Sequence, residues 1–105
     1  FRQDGIEVCY CQGDVAVAAD RKRTVTEVRE KFGALHLLVN NAGVMGRAVS
    51  KAETVRTNLL APAALTLALL PALRRHDSPR VVNGGSSAHL RARRFDFVTL
   101  LFARR

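Results

Sequence analysis

Leu37-Leu38-Val39-Asn40-Asn41-Ala42-Gly43 is the stretch on which the reading of this chain turns. Three apolar residues in a row read as a short strand buried on both faces, as central parallel strands are. The run stops at Asn-Asn-Ala-Gly, where polar and small residues take over. A buried strand that ends in a small-residue turn is where open α/β sheets place ligands, at the carboxyl ends of their strands. Adjacent asparagines offer hydrogen bonds to ligand or backbone, and Ala42 and Gly43 let a flat molecule approach the main chain closely. Taken alone, such a turn is only a turn, so its weight comes from what surrounds it.

Upstream, Ile6 to Cys11 is rich in strand formers and is closed by Gly13-Asp14. Ala18 to Lys31 turns helical, with Val25, Val28 and Phe32 at spacings of three and four, and Gly33 supplies the stop. Downstream, residues 44–50 read as a loop and residues 51–75 as a long helix. Leu59, Leu60, Ala63, Ala64, Leu67, Leu70 and Leu73 crowd one broad face of that helix. Arg74, Arg75 and His76 complement the dipole in its last turn. Pro79-Arg80 leads into a strand at Val81-Val82 that ends at Asn83-Gly84-Gly85. The order strand, helix, strand, helix, strand predicts an α/β fold with a three-stranded parallel sheet, flanking helices and right-handed crossovers. Leu37–Asn40 and Val81–Asn83 are expected side by side. Ile6–Cys11 must pair directly with Leu37–Asn40 or leave an open edge.

The chain has 105 residues, 48% hydrophobic and 25% charged, which fits one globular domain at most. A chain of this size buries under about 70% of its unfolded surface, so its core has little margin. Opening on Phe1-Arg2-Gln3-Asp4, it shows no signal-peptide pattern. The apolar run Leu59 to Leu73 is short for a bilayer and carries Pro62 and Pro71, so a buried or interface helix is expected rather than a membrane anchor. A cytoplasmic location follows as an expectation. Cys9 and Cys11 share one face of the first predicted strand with no further Cys or His pair at ligand spacing, so they read as core or edge thiols and no metal is expected. The net charge of +8 gathers in Arg74, Arg75, Arg80, Arg91, Arg93, Arg94, Arg104 and Arg105. No nucleic-acid motif accompanies that cluster, and it reads as a solvated basic surface rather than a phosphate-backbone track.

Two local patterns bear on chemistry. Pro62 has no N–H and lies four residues after Asn58. If both share one helix, the Asn58 carbonyl loses its usual partner and is free to hold a water. If Pro62 instead starts a new helix, Asn58 is a loop residue before it. Gly84-Gly85-Ser86-Ser87-Ala88 with His89 faintly resembles a hydrolase nucleophile elbow. Ala88 stands where glycine is needed, however, and arginines follow instead of an apolar helix.

Asn40-Asn41-Ala42-Gly43 resembles the signature of the short-chain dehydrogenase/reductase family, and it does so in company. Asp14-Val15 is similar to the family's acidic pair after its third strand. Phe32-Gly33, Thr57-Asn58 and Arg80-Val81-Val82-Asn83 with Ser86 follow in the family's order, so the resemblance covers about residues 5–90. It implies that residues 1–105 form one partial NAD(P)-binding domain of Rossmann type. It also implies cofactor contacts at Asp14, Val15, Asn41, Ala42 and Gly43, with the Asp14 carboxylate accepting from the adenine amine. A turn or cap aspartate is the plain alternative. Two catalytic residues are implied: Asn58 supporting a water relay and Ser86 holding the substrate oxygen, with Ser87 as its alternative because Gly84-Gly85 departs from the family pattern.

The family's Gly-rich phosphate loop is not among these residues. Nor is its Tyr-x-x-x-Lys: Tyr10 is the sole tyrosine, and Lys22, Lys31 and Lys51 all precede Ser86. The closing Leu100–Arg105 looks like a helix that follows the Tyr and Lys in some relatives. The expected function is therefore that of an oxidoreductase moving a hydride between NAD or NADP and a small carbonyl or alcohol substrate, present here as an inactive fragment. The alternative is a non-catalytic interaction module, or a gene remnant, associating as a homo-oligomer through the 51–75 helix.

Overall fold

A computed structural model gives the fold for residues 4–86, the residues described below. Ser87, His89, the basic cluster from Arg91 onward and the expected helix at 100–105 lie outside them. The elements in chain order are α1 (Ala18–Phe32), β1 (Leu37–Asn40), α2 (Lys51–Val55), a π-helical turn (Arg56–Leu60), α3 (Ala61–Leu73) and β2 (Arg80–Asn83).

Local chemistry accounts for the ends of these elements. The Val17 N–H donates to the Asp14 carbonyl at 3.0 Å, and Asp20 in the first turn of α1 reaches back to the Asp14 N–H at 2.9 Å. Gly33 ends α1 at φ 73°, a left-handed conformation glycine adopts without a Cβ penalty, and its N–H caps the Arg29 carbonyl. Helix α2 opens on a capping box: the Glu53 N–H donates to Ser50 Oγ while the Ser50 N–H donates to the Glu53 carboxylate, both at 3.1 Å.

Strands β1 and β2 are parallel, with Leu37 opposite Arg80 and Asn40 opposite Asn83. The ladder is bracketed by Arg80 N–H to the His36 carbonyl and by Gly84 N–H to the Asn40 carbonyl at 2.8 Å. The rings of His36 and His76 meet at a tilt of 38° with centroids 3.7 Å apart. The connection runs through α3, which packs against both strands.

The sheet corrects the sequence reading: among the described residues it has two strands, not three. Ile6–Cys11 is extended but pairs with no strand, because a strand needs a ladder partner and none of the described segments offers one. Its carbonyls turn to α1 instead. Arg23 donates to the Gln12 carbonyl and Lys31 to that of Val8. The spacing matches: eight helical residues and four extended ones each span about 12–13 Å, so one face of α1 runs antiparallel along residues 8–12.

A second correction concerns burial. Leu37 and Val39 are 49% and 54% exposed, and both valines of β2 are exposed. A two-stranded sheet cannot cover them on both faces. The buried set among the described residues is small: Ala61, Leu73, Asn40 and Thr57. The long helix expected over residues 51–75 is present over most of that span. Helical structure runs unbroken from Lys51 to Leu73, 23 residues of mean hydropathy 1.3, long and apolar enough to cross a membrane by length and composition alone. Core helices of soluble proteins meet the same measure.

Asn40 ties these parts together. Its side-chain amide donates to Asn83 Oδ1 at 2.9 Å on β2 and to Thr66 Oγ1 at 3.2 Å on α3. Asn40→Leu removes both donors at a site only 8% exposed. It is expected to lower stability by about 1–2 kcal/mol, read as an earlier urea midpoint at unchanged slope. A double-mutant cycle with Asn83→Ala should return a coupling of about 0.5 kcal/mol or more.

Candidate functional site

Beyond the carboxyl ends of β1 and β2 lies an open cleft of about 900 Å³. Residues 40–45 form one wall, residues 83–86 another, and Asn58, Leu59, Pro62, Ala63, Thr66 and Leu67 of the helical run face them. The cleft sits where the topology puts it: both strands end there in polar turns, and the helix between them crosses back over the same end.

Of the residues read as functional, Asn41, Ala42, Gly43, Asn58 and Ser86 all meet in this cleft. Asp14 and Val15 do not. They line a separate cavity of about 120 Å³ with Cys11, Asp20 and Thr24. Asp14 Oδ1 accepts the Ala16 N–H at 2.8 Å, a turn contact, and the Val15 carbonyl accepts from Arg21 at 2.7 Å. The cofactor contacts implied by the resemblance, Asp14–Val15 and Asn41–Gly43, thus stand at two places in this chain.

Asn58 and Pro62 share the unbroken helical run. Asn58 lies in the π-helical turn, where the Ala61 N–H reaches the Arg56 carbonyl five residues back. Pro62 explains that turn, since it can donate neither to the Asn58 carbonyl four residues back nor to that of Thr57 five back. The Asn58 side chain serves the opposite wall. Its Oδ1 accepts the Val44 N–H at 2.9 Å and its Nδ2 donates to the Val44 carbonyl at 2.8 Å, so a side-chain amide holds the loop after Gly43 at both polar groups of one residue.

The glycine pair before Ser86 has a geometric reason at its first member. A Cβ on Gly84 would stand 3.3 Å from the Asn40 carbonyl oxygen and 3.5 Å from Asn41 Oδ1. Glycine is what lets β2 leave the sheet close to the β1 turn, and this sets where Ser86 sits on the rim. Sequence reasoning passed over Gly84, Thr66 and Met45 as cleft residues. The Gly-Gly pair was the available signal for the first, and the one-turn offset from Pro62 for Thr66. Nothing in the sequence marks Met45.

Among the described residues the lining carries no ionisable side chain: amides, hydroxyls, small residues and aliphatics make it up. These residues can bind and orient a flat, partly polar ligand, but none of them trades a proton near neutral pH. Replacing Asn58 by Ala removes both bonds to Val44. The Val44 amide is expected to lose hydrogen-exchange protection by about fivefold or more, corresponding to about 1 kcal/mol, while Asn40 keeps its protection.

Comparison with known proteins places this geometry. Residues 1–95 match the sequence profile of the short chain dehydrogenase family. The chain is 41% identical over 66 residues to the Arabidopsis thaliana dehydrogenase/reductase SDR family member FEY, covering 56% of this chain and 18% of that protein. It is 45% identical over 40 residues to (+)-borneol dehydrogenase 2 of Salvia officinalis, covering 38% of this chain and 14% of that enzyme. The matches thus span less than a fifth of either relative. The family match covers most of the sequence, and the chain belongs to the short-chain dehydrogenase/reductase family.

Proposed function

We propose that this chain contributes the strand-end part of an oxidoreductase site, acting on a small carbonyl or alcohol substrate with NAD or NADP. The supporting observation is the convergence of Asn41, Ala42, Gly43, Asn58 and Ser86 on one neutral cleft at the carboxyl ends of two parallel strands. The cleft fits the nicotinamide end of such a cofactor, since its Asn41–Gly43 wall presents main chain and small groups to a flat ring. Asn41, Ala42 and Gly43 would hold it there, and Asp14 and Val15 would take the adenine end. When bound, the cofactor supplies or accepts the hydride. Ser86 holds the substrate oxygen by hydrogen bonding, and the Asn58 main-chain carbonyl, which Pro62 cannot serve, holds a water that links the site to solvent.

The proton is the missing piece. Negative charge on the reacting oxygen needs a donor, a positioned donor is worth about a hundredfold to ten-thousandfold, and no ionisable group among the described residues lines the cleft. Tyr10 is 85% exposed and lies outside it. The 105-residue chain by itself is therefore inactive in this reading. Titration with NADH and NADPH, followed by amide chemical shifts, should perturb Asn41, Ala42 and Gly43; changes confined to other residues would remove the cofactor assignment. Incubation with either cofactor and a panel of aldehydes and ketones should show no turnover. Turnover abolished by Ser86→Ala would show that the neutral cleft suffices.

A second reading, association of copies through the helical run, is favoured by one observation. Leu59, Leu60 and Leu67 are all exposed, and each leucine fully buried contributes about 1.5–3 kcal/mol. Sedimentation should show concentration-dependent self-association that Leu60→Glu, outside the cleft, shifts toward monomer. A monodisperse monomer at high concentration would count against it.

A further inference from the structure

Away from the cleft, residues far apart in sequence bring three ligand-type atoms together. Cys9 Sγ and Cys11 Sγ are 3.6 Å apart, and Cys11 Sγ lies 2.9 Å from Glu27 Oε2 on α1. All three groups fall within 4.8 Å of one another. We propose that Cys9, Cys11 and Glu27 form a binding site for one zinc-class divalent cation, which pins the extended 8–12 segment to α1.

The geometry is close to what such an ion requires. With zinc–sulfur bonds of about 2.3 Å and zinc–oxygen bonds of about 2.0 Å, a tetrahedron has sulfur–sulfur edges of about 3.8 Å and sulfur–oxygen edges of about 3.5 Å. The sulfur pair is already at that separation. From Cys11 Sγ the carboxylate oxygen has to retreat by about 0.6 Å, and its separation from Cys9 Sγ, within 4.8 Å, has to settle to the same edge, both within reach of side-chain torsions. Two thiolates with one carboxylate suit a borderline-soft ion such as Zn²⁺ and are a poor set for Mg²⁺ or Ca²⁺, which take oxygen ligands.

The surroundings fit as well. Glu27 divides its two oxygens, Oε2 toward Cys11 and Oε1 toward Arg23 Nε at 4.0 Å. A ligating carboxylate oriented by a second group is the usual outer-shell arrangement. Two thiolates, one carboxylate and a divalent cation sum to one negative charge, which Arg23 offsets. Both cysteines are only partly buried and the Glu27 side chain is 44% exposed, so solvent can complete the fourth position. Without metal, the Cys11 thiol is held protonated. Its hydrogen bond to Glu27, followed by partial desolvation and the neighbouring Cys9, pushes it up to about 12. Metal entry replaces that S–H···O bond, and the two thiol protons leave to solvent as the two zinc–sulfur bonds form.

The site is separate from the cleft, and its test does not depend on dehydrogenase activity. The reduced, chelator-treated chain is titrated with Co²⁺ and then with Zn²⁺ in the presence of a phosphine reductant. One cobalt per chain should bind with a thiolate-to-cobalt charge-transfer band in the near ultraviolet, and zinc should displace it. Cys9→Ser and Cys11→Ser should each abolish the band. Glu27→Gln should weaken zinc by about tenfold or more at unchanged circular dichroism. Should the cysteine variants fail to fold, the unmodified chain carries the test: zinc must protect both cysteines from iodoacetamide, and Glu27→Gln must reduce that protection. Absence of the thiolate band, one metal shared between two chains, or zinc affinity indifferent to Glu27→Gln would each overturn the proposal.

Discussion

The Asn40 amide stands where three elements must agree. It lies at the last position of β1, opposite Asn83 in register, and under Thr66 of α3. A buried amide group that loses its partners costs more than the pair contributes when intact. The two strand ends and the helix are therefore fixed relative to one another by a polar contact rather than by apolar packing. With so few fully buried aliphatics among the described residues, directional bonds carry a larger share of specificity than they would in a complete sheet. The cleft inherits this: Asn41 to Gly43 and Gly84 to Ser86 are the next residues out from that contact on either strand.

Side-chain amides recur as the means of holding main chain in place. Asn40 joins strand to strand and strand to helix, while Asn58 grips both polar groups of Val44. An amide is suited to this because it carries a donor and an acceptor on one flat group and stays uncharged at any ordinary pH. The wall built this way is neutral and insensitive to titration, a stable frame for binding. Chemistry that requires a proton then depends on groups other than the described lining residues.

Much of the local structure was legible because it is written locally. Period-3.6 apolar residues with Gly33 at the end marked α1, and the Pro79 to Gly84 punctuation marked β2. The Ser50-x-x-Glu53 capping box was equally open to view, although the segment before it read only as a loop. Burial was not legible. Leu37 to Val39 has the composition of a central strand, but composition cannot say whether neighbours on both faces are present. The same limit applied to Ile6–Cys11, whose residues favour a strand while strandedness itself belongs to a pair. Among site residues, the strand-end turn and the Asn58–Pro62 spacing were readable. The contact between Cys11 and Glu27 was not, because a separation of sixteen positions gives no pattern that joins an extended segment to a helix face.

The π-helical turn at Arg56–Leu60 has a consequence for chain length. Its bond from Ala61 to Arg56 spans one residue more than an α-helical bond, and one residue is about 100° of rotation. The faces of α2 and α3 are therefore offset by that angle, and the offset lets Asn58 face the Val44 wall while Leu73 stays in the core. Losing a single residue from this turn would heal it into regular helix and leave the hydrophobic composition almost untouched. It would also rotate everything on one side by about a quarter turn relative to the other, carrying either the asparagine or the leucine off its mark. By this geometry a change in residue count at the turn disturbs the site more than a change of residue type that keeps the count.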